Sequence, residues 1–147
     1  MIECLKPKSE EEILVLTKNL NADELLYKSA RYGFLPGVKK ALGRGADVHT
    51  LDDYALRWAS IYCNYDIVKL LLDSGADVHT KNDWALRHAS GKGHYNIVKL
   101  LLKHGADVHA SNDLALRRAS ENGHYSIVKY LLDNGATKHE ITEYTFK

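Results

Sequence analysis

Eight histidines among 147 residues raise three kinds of chemistry: metal ligation, general acid–base work and, beside a cysteine, nucleophilic catalysis. His49, His79 and His109 recur 30 residues apart, and in "KNDWALRHAS", residues 81–90, Trp84 and His88 stand four apart on one helix face. Packed helices lie about 8–10 Å from one another, whereas zinc ligands must come within about 2.0–2.3 Å of a single ion. One histidine per helical layer cannot close on a metal, so these side chains are read as turn residues. Cys4 and Cys63 have neither the number nor the spacing of a disulfide framework or a zinc site. Cys63 stands where equivalent turns hold Gly93 and Gly123, and no motif places a histidine held by a third group against it. A glycine-rich phosphate loop and an acidic pair outside the repeated positions are both missing. No catalytic, metal or cofactor-binding residue is therefore expected, and no enzyme.

Twenty basic against nineteen acidic side chains give a net charge of +1, so no global field draws the chain to nucleic acid or an anionic membrane. The N-terminal "MIECLKPKSEEEILVLTKNL" lacks a secretory signal's apolar core and cleavage site, and no apolar run approaches the ~18 residues of a membrane span. An intracellular, cytoplasmic protein with free thiols is expected.

The elements that must position these residues repeat. "GRGADVHT", "DSGADVHT", "KHGADVHA" and "DNGATKHE" begin at residues 43, 73, 103 and 133, a fixed period that belongs to a stacked array. Between them run "DYALRWASIYCNYDIVKLLL" from Asp53, "DWALRHASGKGHYNIVKLLL" from Asp83 and "DLALRRASENGHYSIVKYLL" from Asp113, with a weaker copy, "DELLYKSARYGFLPGVKKAL", from Asp23. Each copy reads as two short helices. An Asp caps helix A, which buries Leu56, Ala59 and Ser60 or their equivalents. A Gly-His turn (Gly93-His94, Gly123-His124) leads into helix B, with Ile97, Val98, Leu101 and Leu102 on its apolar face, and Gly105 ends it in the left-handed region. Asp53 with Arg57, Asp83 with Arg87 and Asp113 with Arg117 are spaced as i,i+4 ion pairs, and the arginines are expected to orient the adjoining loops. Ser9 and Glu12 form a capping box for a helix over about residues 8–19.

"GHYNIVKLLLKHGADVHA" resembles the ankyrin repeat, whose second helix and turn typically read G-H-x-x-I-V-x-x-L-L-x-x-G-A-D-V-N-A. The resemblance implies an all-α solenoid: a capping helix over 1–20, four repeats at about 21–50, 51–80, 81–110 and 111–139, and a tail over 140–147. Here the period is 30 rather than about 33 residues, and "YALR", "WALR" and "LALR" replace T-P-L-H. The projecting hairpin finger should be stunted. The "ALRxAS" variety resembles the ankyrin proteins that large DNA viruses of amoebae carry in many copies, which implies a host or virion partner in the host cytoplasm. His49, His79 and His109 stand where the family usually has Asn, a position that an oxygen-dependent hydroxylase modifies in some members. With Leu71 and Leu101 eight residues upstream, His79 and His109 are the implied hydroxylation positions.

Comparison of the copies separates scaffold from surface. On helix A, positions 54, 58 and 61 share a stripe opposite the core at ~100° per residue. It reads Glu24, Lys28, Arg31, then Tyr54, Trp58, Ile61, then Trp84, His88, Gly91, then Leu114, Arg118, Glu121. An aromatic centre within a polar rim is how interface hot spots are arranged, and the family resemblance implies binding through the concave face that this stripe lines. The expected partner-binding residues are Tyr54, Trp58, Trp84, His88, Leu114 and Arg118, with Tyr54 and Trp84 as exposed anchors, and in second rank Tyr62 and Lys92 at the end of helix A and Leu51 and Lys81 on the shortened fingers. Trp58 suits packing as well as contact. Tyr65, Tyr95 and Tyr125, identical in the three regular copies, are read as packing.

The expected function is that of a monomer binding another protein. Two alternatives stand beside it: a structural or virion-packaged protein that self-associates through the stripe, and an adaptor recruiting host ubiquitin machinery. The adaptor would need an F-box-like segment, for which 147 residues leave no room.

Overall fold

A computed structural model describes residues 9–138. Cys4, Lys8 and the tail over 140–147 lie outside that range. The described residues form nine helices and no strand: α1 (Glu10–Thr17), α2 (Ala22–Tyr32), α3 (Leu35–Gly43), α4 (Thr50–Ile61), α5 (Tyr65–Asp73), α6 (Thr80–Lys92), α7 (Tyr95–Lys103), α8 (Ala110–Glu121) and α9 (Tyr125–Asp133). They divide into two compact units, which among the described residues span 9–77 and 78–138. In the first, α2 packs on α1, α3 and α4, and α5 on α4 and α3; in the second, α6 packs on α7 and α8, and α9 on α8 and α7.

The expected capping box holds α1: the Glu12 amide donates to Ser9 Oγ and the Ser9 amide to the Glu12 carboxylate, both at 3.3 Å. The helix-A core positions are buried as read, with Leu26, Leu56, Leu86 and Leu116 closed off from solvent beside Ala59, Ser60, Ala89 and Ser90. Small residues there let the neighbouring helix approach closely. On helix B, Ile97, Val98 and Leu101 are buried, but Leu100 rather than Leu102 completes that face. Gly45, Gly75, Gly105 and Gly135 all take positive φ after helix B, as the chain reversal requires.

The shortened connection is a single left-handed turn. Leu51, Asp52 and Asp53 have φ of 55°, 55° and 50°, and the triplets Lys81–Asp83 and Ser111–Asp113 repeat the geometry. Left-handed backbone costs roughly 1–2 kcal/mol per residue with a Cβ, least for Asn and Asp, which explains the Asp-Asp and Asn-Asp pairs at these positions. Two sets of bonds offset the cost. Arg57 donates from Nε to the Asp52 carbonyl (2.9 Å) and from Nη2 to the Leu51 carbonyl (3.0 Å), and Arg87 does the same for Asn82 and Lys81 at 2.8 Å. The arginines orient the loops, as expected, by donating to their backbone carbonyls.

The aspartates form the second set. The Asp53 carboxylate accepts the Asp77 amide at 2.8 Å, 24 residues on, and also meets His49 Nδ1 at 3.1 Å. Asp83 joins His79 to the Asp107 amide, and Asp113 joins His109 to the Thr137 amide and hydroxyl. Each of these buried carboxylates therefore ties the turn before its helix to the turn after the helix pair. Reading the Asp as a cap for its own helix missed this longer reach. Asp23 makes only the second link, to the Asp47 amide at 2.7 Å, and its helix begins with an ordinary capping box at Asn21 and Glu24.

Cys63 adopts φ 62°, beside 73°, 83° and 74° at Gly33, Gly93 and Gly123. A side chain at such a position is strained, so Cys63→Gly is expected to stabilise the fold by about 1 kcal/mol. A thermal melt should show the midpoint raised by about 3 °C, with no rise in Cys63→Ala.

Candidate functional site

The helix-A stripe lies at the surface in both units, and each unit organises it differently. In the first, four rings follow one another along α2 and α4. Tyr27 meets Tyr54 edge-on at 5.5 Å, Tyr54 leans on Trp58 at 5.5 Å, and Trp58 stacks on Tyr62 at 5.6 Å. Arg31 covers the Trp58 ring at 5.3 Å and reaches the Tyr54 hydroxyl at 3.5 Å, while Arg57 lies 5.7 Å from the Tyr54 ring. The i,i+4 spacing of positions 54, 58 and 62 puts these rings in register, and cation–π contact holds the guanidinium groups over them.

In the second unit the stripe opens into a depression of about 730 Å³ between the C-terminal halves of α6 and α8, lined by His88, Gly91, Lys92, Arg118, Glu121, Asn122 and His124. Gly91 makes the room: a Cβ there would sit 3.3 Å from that of Arg118, and the equivalent positions carry Arg31, Ile61 and Glu121. Trp84 stacks on His88 with ring centres 3.8 Å apart. The Arg118 guanidinium lies 3.2 Å from His88 Nε2. Because arginine only donates, Nε2 is the acceptor and the imidazole is neutral. Burial first, then the positive charges of Arg118, Arg87 and Lys92, push the His88 imidazole down to about 4, so it stays uncharged at neutral pH. Burial and Arg118 likewise lower Arg87, against an opposing pull from Asp83.

The residues singled out from sequence fall as follows. Tyr54, Trp58, Tyr62, Trp84, His88, Leu114 and Arg118 are all half-buried, and Lys92 is exposed. Tyr54 and Trp84 are thus not free-standing anchors, since neighbouring rings cover part of each. Trp58 is packing and surface at once, held between Tyr54, Tyr62 and Arg31. Leu51 and Lys81 are exposed on the left-handed turns. Tyr65 and Tyr125 depart from their reading as packing residues, being 41% and 69% exposed at the first position of their helices, whereas Tyr95, 37% exposed, packs edge-on against Tyr130 at 5.7 Å. Identity between copies did not mean burial there, because a helix's first turn can project past the core. The His79 and His109 side chains are more than half exposed while Nδ1 faces Asp83 and Asp113.

Tyr27, Arg31, Asn122 and His124 were not among the expected partner-binding residues, although the sequence placed Arg31 on the stripe and His124 in the turn. His124 Nε2 and Asn122 Nδ2 meet the Gly91 carbonyl at 3.0 and 2.9 Å, and Asn64 Nδ2 meets the Ala30 carbonyl at 3.4 Å. The residue before helix B thus reaches back to the end of the preceding helix A. A polar side chain at that position in three of the four copies was the available signal.

No His, Cys, Asp or Glu cluster among the described residues groups three such side chains for a metal. No helix among them is long and apolar enough to cross a membrane. A family model for ankyrin repeats in three copies matches residues 81–142, and a second, for ankyrin repeats in many copies, matches residues 56–101. No curated protein matches the chain. Both models describe the repeat that the paired helices form, and together they run from residue 56 to 142, more than half of the sequence; the chain belongs to the ankyrin-repeat proteins.

Proposed function

We propose that the protein is a non-catalytic interaction module that grips a partner protein with the helix-A stripe and the adjoining left-handed turns. One observation carries this reading. The stripe is where the copies diverge, and its large residues sit half-buried at the surface while the scaffold positions between them are closed and nearly uniform. Stacking needs Leu, Ala and Ser at the buried positions, but it does not call for Trp, Tyr and Arg on the outer face. Aromatic and arginine side chains pre-ordered by their neighbours lose little entropy on binding. Ankyrin repeats generally serve protein–protein interaction, and the resemblance to viral ankyrin proteins makes a host protein the first partner to seek.

Affinity capture with the wild-type chain beside a Tyr54→Ala, Trp84→Ala double variant tests the proposal. The expected result is a partner recovered by the wild type and lost, at least tenfold, by the variant, with unchanged helical circular dichroism. Equal recovery by both overturns it. Sedimentation at several concentrations checks the self-association alternative, which a dimer dissolved by Trp84→Ala would establish in its place.

A further inference from the structure

The two helices that flank the depression carry more positive than negative side chains. These two helices carry Lys81, Arg87, Lys92, Arg117 and Arg118 against Asp83, Asp113 and Glu121. Asp83 and Asp113 are buried and engaged with histidines and backbone amides, which leaves Glu121 as the one exposed anion on them. Of these charges, Lys92, Arg118 and Glu121 line the depression itself.

Its centre is built to hold a negative group. Arg118 spends one N–H on neutral His88, and an imidazole in that state cannot balance the guanidinium's charge. Neither Arg118 nor Lys92 has a carboxylate partner among the described residues. The carbonyl end of α6 would repel an anion, but Asn122 and His124 already satisfy the Gly91 carbonyl. The missing side chain at Gly91 lets the Arg118 stem lie close against α6, and the Trp84–His88 stack gives one rigid wall. A planar guanidinium with free donors suits bidentate carboxylate recognition.

We propose that this depression receives the carboxylate side chains of a short acidic segment of a partner protein, with Arg118 as the principal contact and Lys92 in support. The inference rests on the interaction-module reading and names the chemistry of the partner at one end of the stripe. Two neighbouring cations, Lys92 and Arg118, in an open depression suit one or two carboxylates better than a continuous phosphate backbone, which needs a longer basic track.

Titration of the isotopically labelled chain with hexaglutamate, hexalysine and a single-stranded hexanucleotide, read by NMR at the Trp84 indole and His88 ring, tests it. Hexaglutamate should shift both signals saturably, hexalysine should not, and the nucleotide should bind at least tenfold more weakly than hexaglutamate. Arg118→Glu should weaken hexaglutamate at least tenfold and Lys92→Glu by a smaller factor. Unchanged Trp58 indole signals would show that each variant remains folded. Absence of a shift, equal binding by Arg118→Glu, or equal affinity for the nucleotide overturns the proposal. If hexaglutamate fails while Tyr54→Ala, Trp84→Ala still loses a captured partner, the ligand class is wrong and the interaction face stands; if both fail, both fall.

Discussion

Asp83→Ala is expected to lower the unfolding free energy by about 3 kcal/mol. The carboxylate is buried, accepts the Asp107 amide at 2.7 Å and faces His79 Nδ1 at 3.2 Å. Hydrogen bonds to a charged group contribute about 1.5–3 kcal/mol, and removing one partner leaves the other polar group to be desolvated unmatched. Alanine would also have to hold φ 52°, where it lacks the tolerance of Asp and Asn for left-handed backbone. Asp83→Asn keeps an acceptor oxygen and that tolerance, so its cost should be nearer 1 kcal/mol. Asp23→Ala is the internal control. Asp23 lies in ordinary helix at a partly exposed position with one such bond, and its loss should cost less than about 1 kcal/mol. Urea unfolding of the three variants orders them. An Asp83→Ala cost no greater than that of Asp23→Ala would show that the carboxylate does not tie the turns together.

The second large effect concerns the first copy, which solves the core differently. It has Ser29, Phe34 and Gly37 where the regular copies have Ala59, Asn64 and Ile67, or Ala89, His94 and Ile97. A Cβ added at Gly37 would lie 2.2 Å from Ser29 Oγ, 2.9 Å from Ser29 Cβ and 2.7 Å from Phe34 Cδ1. Ser29 and Phe34 therefore occupy the space that isoleucine fills elsewhere. Gly37→Ile alone should destabilise by about 3 kcal/mol through overpacking. The triple variant Ser29→Ala, Phe34→His, Gly37→Ile restores the regular pattern and should recover most of that loss. Such non-additivity is the mark of residues sharing one volume. Additive costs across the single, double and triple variants in denaturant unfolding would refute the exchange.

Much of this was readable from the residues because its causes are local. Leu86, Ala89 and Ser90 are buried at the helical spacing that placed them there, and the Ser9–Glu12 box caps α1 through bonds three residues apart. Cys63 betrayed its strained backbone by standing in a glycine position. The stripe itself was legible from the disagreement between copies.

What chain order could not disclose were the contacts made across 24 or 30 residues. The fixed period determined that each Asp, Arg and His would recur, and turn chemistry determined that Asn and Asp would stand where the connection shortens. Tertiary structure decided that Asp83 bonds to Asp107 and His79, and that Arg87 donates to loop carbonyls. It also decided that Tyr125 projects while Trp84 lies against His88. The physical reason is that helical periodicity assigns a side chain to a face, whereas its burial and its hydrogen-bond partner depend on what the neighbouring helix pair places opposite.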